Sequence, residues 1–505
     1  MLGDNDATAN ENKLNYKLVA IATAVSLLNS FCYDSFIIMM ALVIIESVFL
    51  ISCLVRKQYF TYIIYYTIFL STSLESPNFV GEDVFYGFKS FKIAGVNLGV
   101  VFLMLIFLVL VANGSINKIF NIKGNIRRFA KGAAALTIIG FTMGLIELFV
   151  NDNDIGIYDI KISMFVDACY MFLFVALEII VIVTIIEYYG RITSPIKQGL
   201  TTIVISLAVT LIMSLLLENY GNRGGVPSLQ VSNLIMLLSC AVLLSVYPVY
   251  GKKEKMAIAA SGTVIVVLGL IYNANGKMII IAMLLPILTI IVLYINKKYK
   301  TAFAVVFLSI LIIVFSSNAL VVDLSNRSAL LEIKTEQVAS MLSFWEVGWF
   351  DNMPDSPRIR IAQFMNITYE YYNKPWLFLT GKGYMGTIKD HMEIFGKANE
   401  FTYSIWELDH GLYYVMHETF NTLYLTNGLL GILFFFQTLK VILSKFTRTP
   451  WLIIGGFWFA LFYAYSVTIS IFGVTAFIVG LYDVDKLDGL KIRNGKPERA
   501  CRTAE

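Results

Sequence analysis

Apolar and polar residues follow one another in long blocks along this chain, unlike the short periods of a soluble domain. Fourteen apolar stretches occur, most of them close to the roughly 20 residues that a helix needs to cross a bilayer. They occupy residues 16–32, 36–55, 59–72, 93–113, 132–150, 163–186, 200–217, 231–250, 256–272, 277–295, 302–322, 422–442, 450–465 and 467–482. Eleven precede and three follow one long polar segment. The pattern predicts an all-α polytopic membrane protein with about 12–14 transmembrane helices.

Composition agrees with a membrane protein. Hydrophobic residues make up 57% of the chain and charged residues 15%, with a mean hydropathy of +0.72. A soluble domain carries about 25% charged residues. The net charge of +4 is too small to indicate a nucleic-acid partner. Four of the five cysteines lie in or beside apolar stretches, so no disulfide framework is expected.

Basic residues are sorted by side of the predicted membrane. The connections on one side carry 26 lysines and arginines, and the short connections on the other side carry 5. The positive-inside rule therefore places both termini in the cytoplasm and one large, mainly helical loop outside. The predicted organisation is a transmembrane bundle at 1–322, the periplasmic or extracellular loop at 323–421, C-terminal transmembrane helices at 422–482 and a basic cytoplasmic tail at 483–505.

Carboxylates also occur within the apolar stretches. Asp167 and Glu178 fall near one face of a single predicted helix, while Glu46 and Glu147 lie in two others. A buried carboxylate in a membrane is costly and often functional, which would suit the ion relay of a transporter. The alternative is that these residues lie near helix ends or pair inside the bundle. No spanning stretch offers an Arg or His partner at mid-depth, and the second interpretation is favoured.

The outward loop contains all three histidines of the chain, His391, His410 and His417. The acidic residues near them are Glu393, Asp409 and Glu418. The HExxH spacing of zinc enzymes is absent, so no metal is expected.

Two further segments of the loop carry candidate chemistry. Residues 358–373 predict a helix on which Arg358 and Arg360, two positions apart, point to different faces, so one of them is expected to serve a site. The turn GKGYMG at 381–386 brings backbone N–H groups close to an anion or a sugar, or simply reverses the chain.

The order of residues through this loop resembles the bacterial O-antigen ligase and polymerase family. The matching positions are Arg360, Phe364, Pro375, Gly381, Gly383, His417, Gly428 and Gly431. The usual family residues at two places are Trp and Asn, where this chain has Phe364 and Glu418. Three extra residues separate Pro375 from Gly381. The topology of one large outer loop between spans also agrees with the family.

The resemblance implies an inverting glycosyltransferase of the bacterial plasma (inner) membrane that needs neither cofactor nor metal. Its donor would be a lipid-linked oligosaccharide, a glycan on polyprenyl pyrophosphate. Cationic side chains would bind the pyrophosphate; these are Arg360, Lys277, Arg223 and Arg358. Either His417 or Glu418 would take the proton of the acceptor hydroxyl. The substrate groove would include Gly381, Gly383, Trp376, His410 and Asn421.

Several functions remain open at this point. Within the family, a polymerase extends the glycan on lipid-linked repeat units, whereas a ligase moves finished glycan to lipid A core or protein, and the polymerase is favoured. The resemblance also implies a chain-length-regulating membrane partner. The competing classes are a flippase or transporter of lipid-linked oligosaccharide and an assembly partner without catalysis. A 99-residue outer loop holding every histidine favours the enzyme over both.

Overall fold

The computed structural model describes residues 15–33, 35–73, 87–88, 91–93, 96–115, 125–150, 181, 184–185, 194–223, 226–229, 252–272, 348–397, 403, 405–414 and 416–446. Helices account for 77% of the region that can be interpreted, and strand is sparse. This confirms the helical class that the apolar pattern predicts.

The helices fall into a bundle part and a loop part. In the bundle part they are α1 (Tyr16–Phe31), α2 (Phe36–Val55), α3 (Tyr59–Thr72), α4 (Leu98–Ala112), α5 (Asn125–Val150), α6 (Ser194–Leu216) and α7 (Lys252–Tyr272). In the loop part they are α8 (Asp355–Asn373), α9 (Leu377–Thr380) and α10 (Ile405–His410), followed by α11 (Thr419–Phe446). Single 3₁₀ turns occupy Gly383–Met385 and Phe395–Lys397.

Three pairs of short antiparallel strands lie between helices in the part of the chain that the structure describes. Strand β1 (Lys92–Ile93) pairs with β2 (Val96–Asn97), and β3 (Tyr220–Arg223) pairs with β4 (Val226–Leu229). In the loop part, β5 (Ile388–Lys389) pairs with β6 (Leu412–Tyr413), with Ile388 opposite Tyr413. The last pair ties the segment after α9 to the segment after α10.

Eight of the predicted apolar stretches coincide with helices α1 to α7 and α11. The predicted start of one stretch falls before its helix and is wrong, because the stretch expected to begin at residue 93 becomes helical only at Leu98. Ile93 belongs to β1, Val96 and Asn97 form β2, and the Asn97 side chain caps α4 by accepting the N–H of Gly99 at 3.0 Å. The stretches at 231–250, 277–295, 302–322, 450–465 and 467–482, and nearly all of 163–186, lie outside the described residues.

Two of the described helices are long and apolar enough to cross a membrane. These are α2, with 20 residues, and the Thr419–Gln437 part of α11, with 19. Shorter apolar helices include Tyr16–Phe31, Tyr59–Leu70 and Leu98–Ala112. Length and composition thus give weak support to membrane association.

The bundle part packs around α6. Helices α1, α3 and α7 all contact α6, and α2 contacts α3. Helix α5 instead packs against the loop part, where it meets α9, α11 and the 3₁₀ turn at Gly383–Met385. The buried Asn427 amide of α11 donates to the Leu136 carbonyl of α5 at 2.8 Å. The loop part is therefore docked on a helix of the bundle part.

Two glycines make this docking close. A Cβ placed on Gly383 would lie 2.2 Å from the backbone nitrogen of Gly144 in α5. One placed on Gly381 would lie 2.4 Å from the backbone nitrogen of Asn427 in α11. Both glycines also have positive φ, at 75° and 69°, which disfavours other residues. Backbone meets backbone at these two positions.

A cluster of buried, mainly apolar side chains packs the helices of the loop part together. It joins α8 and α9 to the end of the loop and to α11 through Ile359, Ala362, Ile367, Tyr371, Leu377, Ile388, Phe395, Tyr403, Tyr413, Met416, Tyr424 and Leu425. The Tyr371 hydroxyl lies 2.8 Å from the carbonyl oxygens of both Tyr424 and Leu425. Helix α8 is thereby held against α11, and the polar residues at the start of each helix come together.

Candidate functional site

An ion pair joins the first turns of α8 to the residue before α11. Nε of Arg360 lies 3.1 Å from Oε1 of Glu418, and the two side chains are 27% and 16% exposed. They are 58 positions apart in sequence, so only the fold brings them together. Because both side chains are partly exposed, an anionic ligand can take the place of Glu418 beside the Arg360 guanidinium. Neither charge then has to be buried completely.

His417 precedes Glu418 in the chain and is held by a buried amide. Nδ1 of His417 is 2.7 Å from Nε2 of Gln363, and the backbone N–H of His417 donates to Oε1 of Gln363 at 3.2 Å. Gln363 is fully buried and follows Arg360 by one helical turn on α8. Arg360, Glu418 and His417 thus form one polar cluster, which is called the α8–α11 cluster below.

Tyr403 packs against the imidazole ring of His417. Its ring meets the His417 imidazole edge to face, with centroids 5.3 Å apart, and its hydroxyl accepts a hydrogen bond from Nε2 of Gln363 at 2.9 Å. Burial raises the pKa of Tyr403; the hydrogen bond from Gln363 opposes this, and the nearby carboxylates Glu407 and Asp390 add to it. Tyr403 is therefore a neutral phenol at physiological pH.

Asn421 sets the register between the two helices. Its buried side chain donates to the Arg360 carbonyl oxygen at 2.9 Å. Asn421, on the first turn of α11, thus contacts the backbone of the residue whose side chain forms the ion pair. Its predicted place in a substrate groove stays a prediction.

The two arginines of α8 point in different directions, as their spacing predicts. Arg358 pairs with Asp355 of the same helix and donates to the Asp351 carbonyl oxygen at 3.2 Å. Arg360 instead pairs with Glu418. Of the two arginines, it is therefore Arg360 that is held in the α8–α11 cluster.

A second polar cluster fixes the glycine-rich turn. Nζ of Lys382 pairs with Glu370 of α8 and donates to the Thr387 carbonyl oxygen at 2.7 Å. The other oxygen of Glu370 accepts the backbone N–H of Lys389 at 2.6 Å and lies 3.6 Å from Nε2 of His391. Lys382 is engaged inside the fold, so the turn is locked to α8 by charge.

Two carboxylates also hold the loop backbone. Oδ2 of the partly buried Asp390 accepts the N–H groups of Phe395, at 2.6 Å, and Gly396, at 3.3 Å. The fully buried Glu407 accepts the N–H of Tyr414 at 2.9 Å. These contacts satisfy backbone N–H groups that lie outside regular hydrogen-bonded helix and strand.

The remaining residues of the predicted groove have different surroundings. Trp376 is 63% exposed at the start of α9. His410 is exposed at the end of α10, where its ring stacks on Trp406 with centroids 4.5 Å apart. Gly381 and Gly383 are buried against α11 and α5, so packing accounts for both of them. The predicted groove role of these four residues remains a prediction.

Other sequence candidates are placed only in part. Arg223 ends strand β3 and pairs in register with Val226, and its side chain is not described. Lys277, Asp167 and Glu178 lie outside the described residues. Glu46 is 1% exposed on α2. Pyrophosphate contacts from Arg223 and Lys277 therefore stay predictions.

No group of three or more His, Cys, Asp or Glu side chains is arranged to hold a metal ion within the described part of the chain. The three histidines have separate surroundings there. His391 faces Glu370, His410 stacks on Trp406, and His417 contacts Gln363.

Gln363 and Tyr403 are the residues of this site that sequence reasoning missed. Gln363 carries a usable signal, because it lies three positions after Arg360 and a helix brings such residues to one face. Tyr403 carries none, since one tyrosine among 28 has no distinguishing spacing.

The α8–α11 cluster offers one guanidinium, one carboxylate and one imidazole within a single ordered junction. A guanidinium can bind phosphate oxygens, while a carboxylate or an imidazole can exchange a proton with a hydroxyl. Compared with known protein families, curated proteins and solved structures, the chain shows no match.

Proposed function

We propose that this protein is a multi-pass plasma-membrane glycosyltransferase that polymerises polysaccharide repeat units. It transfers a growing glycan from polyprenyl pyrophosphate to the terminal sugar of a second lipid-linked oligosaccharide. Both termini lie in the cytoplasm and the loop at 323–421 faces outward. The observation that carries the proposal is the Arg360–Glu418 ion pair beside His417, at 3.1 Å between Nε and Oε1.

The transfer reaction needs a cation that binds the diphosphate and a base that takes the hydroxyl proton, and the α8–α11 cluster contains both. The acceptor hydroxyl attacks the anomeric carbon, the bond from that carbon to the pyrophosphate oxygen breaks, and the electron pair leaves with the diphosphate. Arg360 binds the diphosphate and stabilises its growing negative charge. A neighbouring base, His417 or Glu418, takes the hydroxyl proton. A single displacement of this kind inverts the anomeric configuration.

The position of the cluster suits a lipid-linked substrate. Glu418 immediately precedes α11, whose residues Thr419–Gln437 are long and apolar enough to cross a membrane. A pyrophosphate attached to a polyprenol lies at the lipid–water boundary, at the height where such a helix begins. The base and the cation are therefore held close to the reacting carbon.

The decisive experiment supplies purified protein with lipid-linked repeat units alone and follows the products by gel or mass spectrometry. The wild type should give a ladder of glycans. Arg360→Ala and His417→Ala should each reduce extension about 100-fold or more, because charge stabilisation and proton transfer each contribute on that order. Both variants should remain in the membrane at normal amounts.

Matched controls remove similar side chains elsewhere in the same loop. Lys374→Ala deletes an exposed cation at the far end of α8, and His391→Ala deletes a histidine outside the α8–α11 cluster. Both should keep most of the activity. The absence of a ladder from repeat units alone, with transfer of one finished glycan once lipid A core is added, would identify a ligase instead.

A transporter of lipid-linked oligosaccharide is the second candidate, and one observation favours it. Glu46 is buried on α2, and among the described residues neither carboxylate oxygen has a hydrogen-bond partner. A coupling ion would use such a carboxylate. Under this alternative, Glu46→Gln should abolish translocation in vesicles while Arg360→Ala and His417→Ala retain it.

A further inference from the structure

The side-chain amide of Gln363 packs directly against His417. The side-chain amide of Gln363 has two faces with opposite polarity, an oxygen that accepts and a nitrogen that donates. Oε1 faces the backbone N–H of His417 at 3.2 Å, and Nε2 faces Nδ1 of the imidazole at 2.7 Å. The same residue therefore contacts both the backbone and the ring of His417.

The orientation of that amide is fixed by a group that cannot change. A backbone N–H is always a donor, so the atom of Gln363 facing it must be the oxygen. Exchanging the two ends of the amide would set its NH₂ group against this N–H. The nitrogen consequently faces the ring, and its second hydrogen reaches the Tyr403 hydroxyl at 2.9 Å.

A donor facing Nδ1 requires that Nδ1 be the acceptor. Neutral imidazole has one donor and one acceptor nitrogen, so the proton must then reside on Nε2. We propose that Gln363 is a positioning residue that keeps His417 in the Nε2–H form, so that the ring donates to substrate and Glu418 is the base. The second half of this statement rests on the proposed function.

The transfer step then divides between the three residues. Glu418, a carboxylate with acceptor positions only, takes the proton of the attacking hydroxyl as the new glycosidic bond forms. Nε2–H of His417 donates a hydrogen bond to the substrate. Arg360 moves from the neutralised Glu418 to the departing diphosphate, whose negative charge has increased. Charge thus passes along the ion pair as the bond to phosphate breaks.

Other charged groups near the ring belong to several elements. Arg360 lies on α8, and Glu418 follows His417 in the chain. Tyr403 packs on the imidazole. Glu407 and Asp390 lie behind Tyr403, close enough to raise its pKa. Gln363→Glu leaves all five of these residues in place, whereas Tyr403→Phe and Glu418→Gln each change one of them.

Nuclear magnetic resonance of histidine labelled with ¹⁵N tests the proton position directly. The full chain in nanodiscs contains three histidines, and the signal lost in His417→Ala identifies His417. The wild type should show Nε2 protonated and Nδ1 bare. Gln363→Glu places an oxygen against Nδ1 and should move the proton to Nδ1. A proton on Nδ1 in the wild type would overturn the inference.

Tyr403→Phe is the matched control. It removes the other hydrogen-bond partner of Nε2 of Gln363 but keeps the amide and the ring in place. The histidine signal should therefore stay in the Nε2–H form. A shift of the proton to Nδ1 in this variant would mean that Tyr403, and not Gln363, sets the tautomer.

The pH profile of glycan extension provides the second readout. In Gln363→Glu the new carboxylate stabilises the imidazolium, which still donates from Nε2. As the pH rises and the imidazolium loses its Nε2 proton, extension should fall about tenfold or more, while the wild type retains its rate. Faster extension by this variant at high pH would show that the ring accepts the proton, against the proposal.

Glu418→Gln separates the two halves of the proposal. It should lower extension about 100-fold or more and leave the histidine signal in the Nε2–H form. Retained extension in this variant would exclude Glu418 as the base. If the tautomer is as expected but the wild type makes no ladder, the proposed function fails and the positioning role stands. If the ladder forms with Nδ1 protonated, the positioning role fails alone.

Discussion

The bundle part bonds its buried hydroxyls both within one helix and between helices, whereas the candidate site in the loop part uses side-chain amides that bond between elements. In the bundle, the Thr67 hydroxyl donates to the Ile63 carbonyl four residues back on its own helix, and the Tyr62 hydroxyl donates to the Phe102 carbonyl of α4. In the loop, Gln363 and Asn421 bond across to other elements. Local bonds leave each helix independent of its neighbours, whereas bonds between elements fix distances. Only the second arrangement can hold chemical groups in register.

The largest expected effect comes from breaking the contact that docks the loop on the bundle. Gly383→Ala places a methyl group 2.2 Å from the Gly144 nitrogen at a residue with φ of 75°. Overlap with backbone and a strained φ together should cost more than about 3 kcal/mol of stability. Thermal unfolding in detergent, or failure to accumulate in the membrane, would report it.

Two other glycines of the loop separate the causes. Gly411 has φ of 61° with nothing within 4 Å of an added Cβ, so Gly411→Ala should cost only the conformational strain, about 1 kcal/mol. Gly396 has the same open space without a positive φ, and Gly396→Ala should be neutral. Equal unfolding temperatures for all three variants would contradict the close backbone packing.

A middle-sized effect is expected at Asn421. Asn421→Ala removes the hydrogen bond to the Arg360 carbonyl oxygen and should cost about 1–3 kcal/mol. Asn421→Asp keeps the shape but sets a second acceptor against that oxygen, so it should be the more destabilising of the two. Denaturant unfolding measures both. The reverse order would show that the volume of Asn421, and not its donor, holds α8 to α11.

The smallest effect is expected in the bundle. Thr67→Val replaces a buried hydroxyl that bonds within its own helix, at 2.8 Å from the Ile63 carbonyl oxygen. That carbonyl also has its regular helical partner, so the cost should stay at about 1 kcal/mol or less. The same unfolding measurement applies. A loss as large as that of Asn421→Ala would contradict the distinction between bonds within one helix and bonds between elements.

The apolar pattern was sufficient to predict most described helices, because hydrophobic length determines them. It set the start of α4 too early, since Ile93 and Val96 are apolar but belong to strands β1 and β2, and Asn97 is the N-cap of α4. The helix at 358–373 follows from its sequence, and α8 spans Asp355–Asn373. Boundaries depend on capping side chains that hydropathy does not detect.

The residues of the candidate site could be predicted from the sequence, but most contacts between them could not. Arg360, His417 and Glu418 were predicted from the resemblance of the loop to a family motif, and α8 contacts both His417 and Glu418 through Gln363 and Arg360. The pairing of Arg360 with Glu418, and the amide of Gln363 against the ring, depend on how α8 packs against α11. That packing comes from Tyr371 and the buried cluster beneath it, which no local pattern encodes.

The interruption of α11 at Gly428 has a mechanical consequence. There φ is 57° and ψ is −143°, so the regular helix is broken nine residues after Thr419. In an unbroken helix, the direction of the residues after Gly428 would also determine the direction of those before it. The break separates the two, and the backbone of Gly428 packs closely against Phe378 and Gly381. The direction of the half that begins at Thr419 is therefore set by the loop part, which keeps the start of that half next to α8.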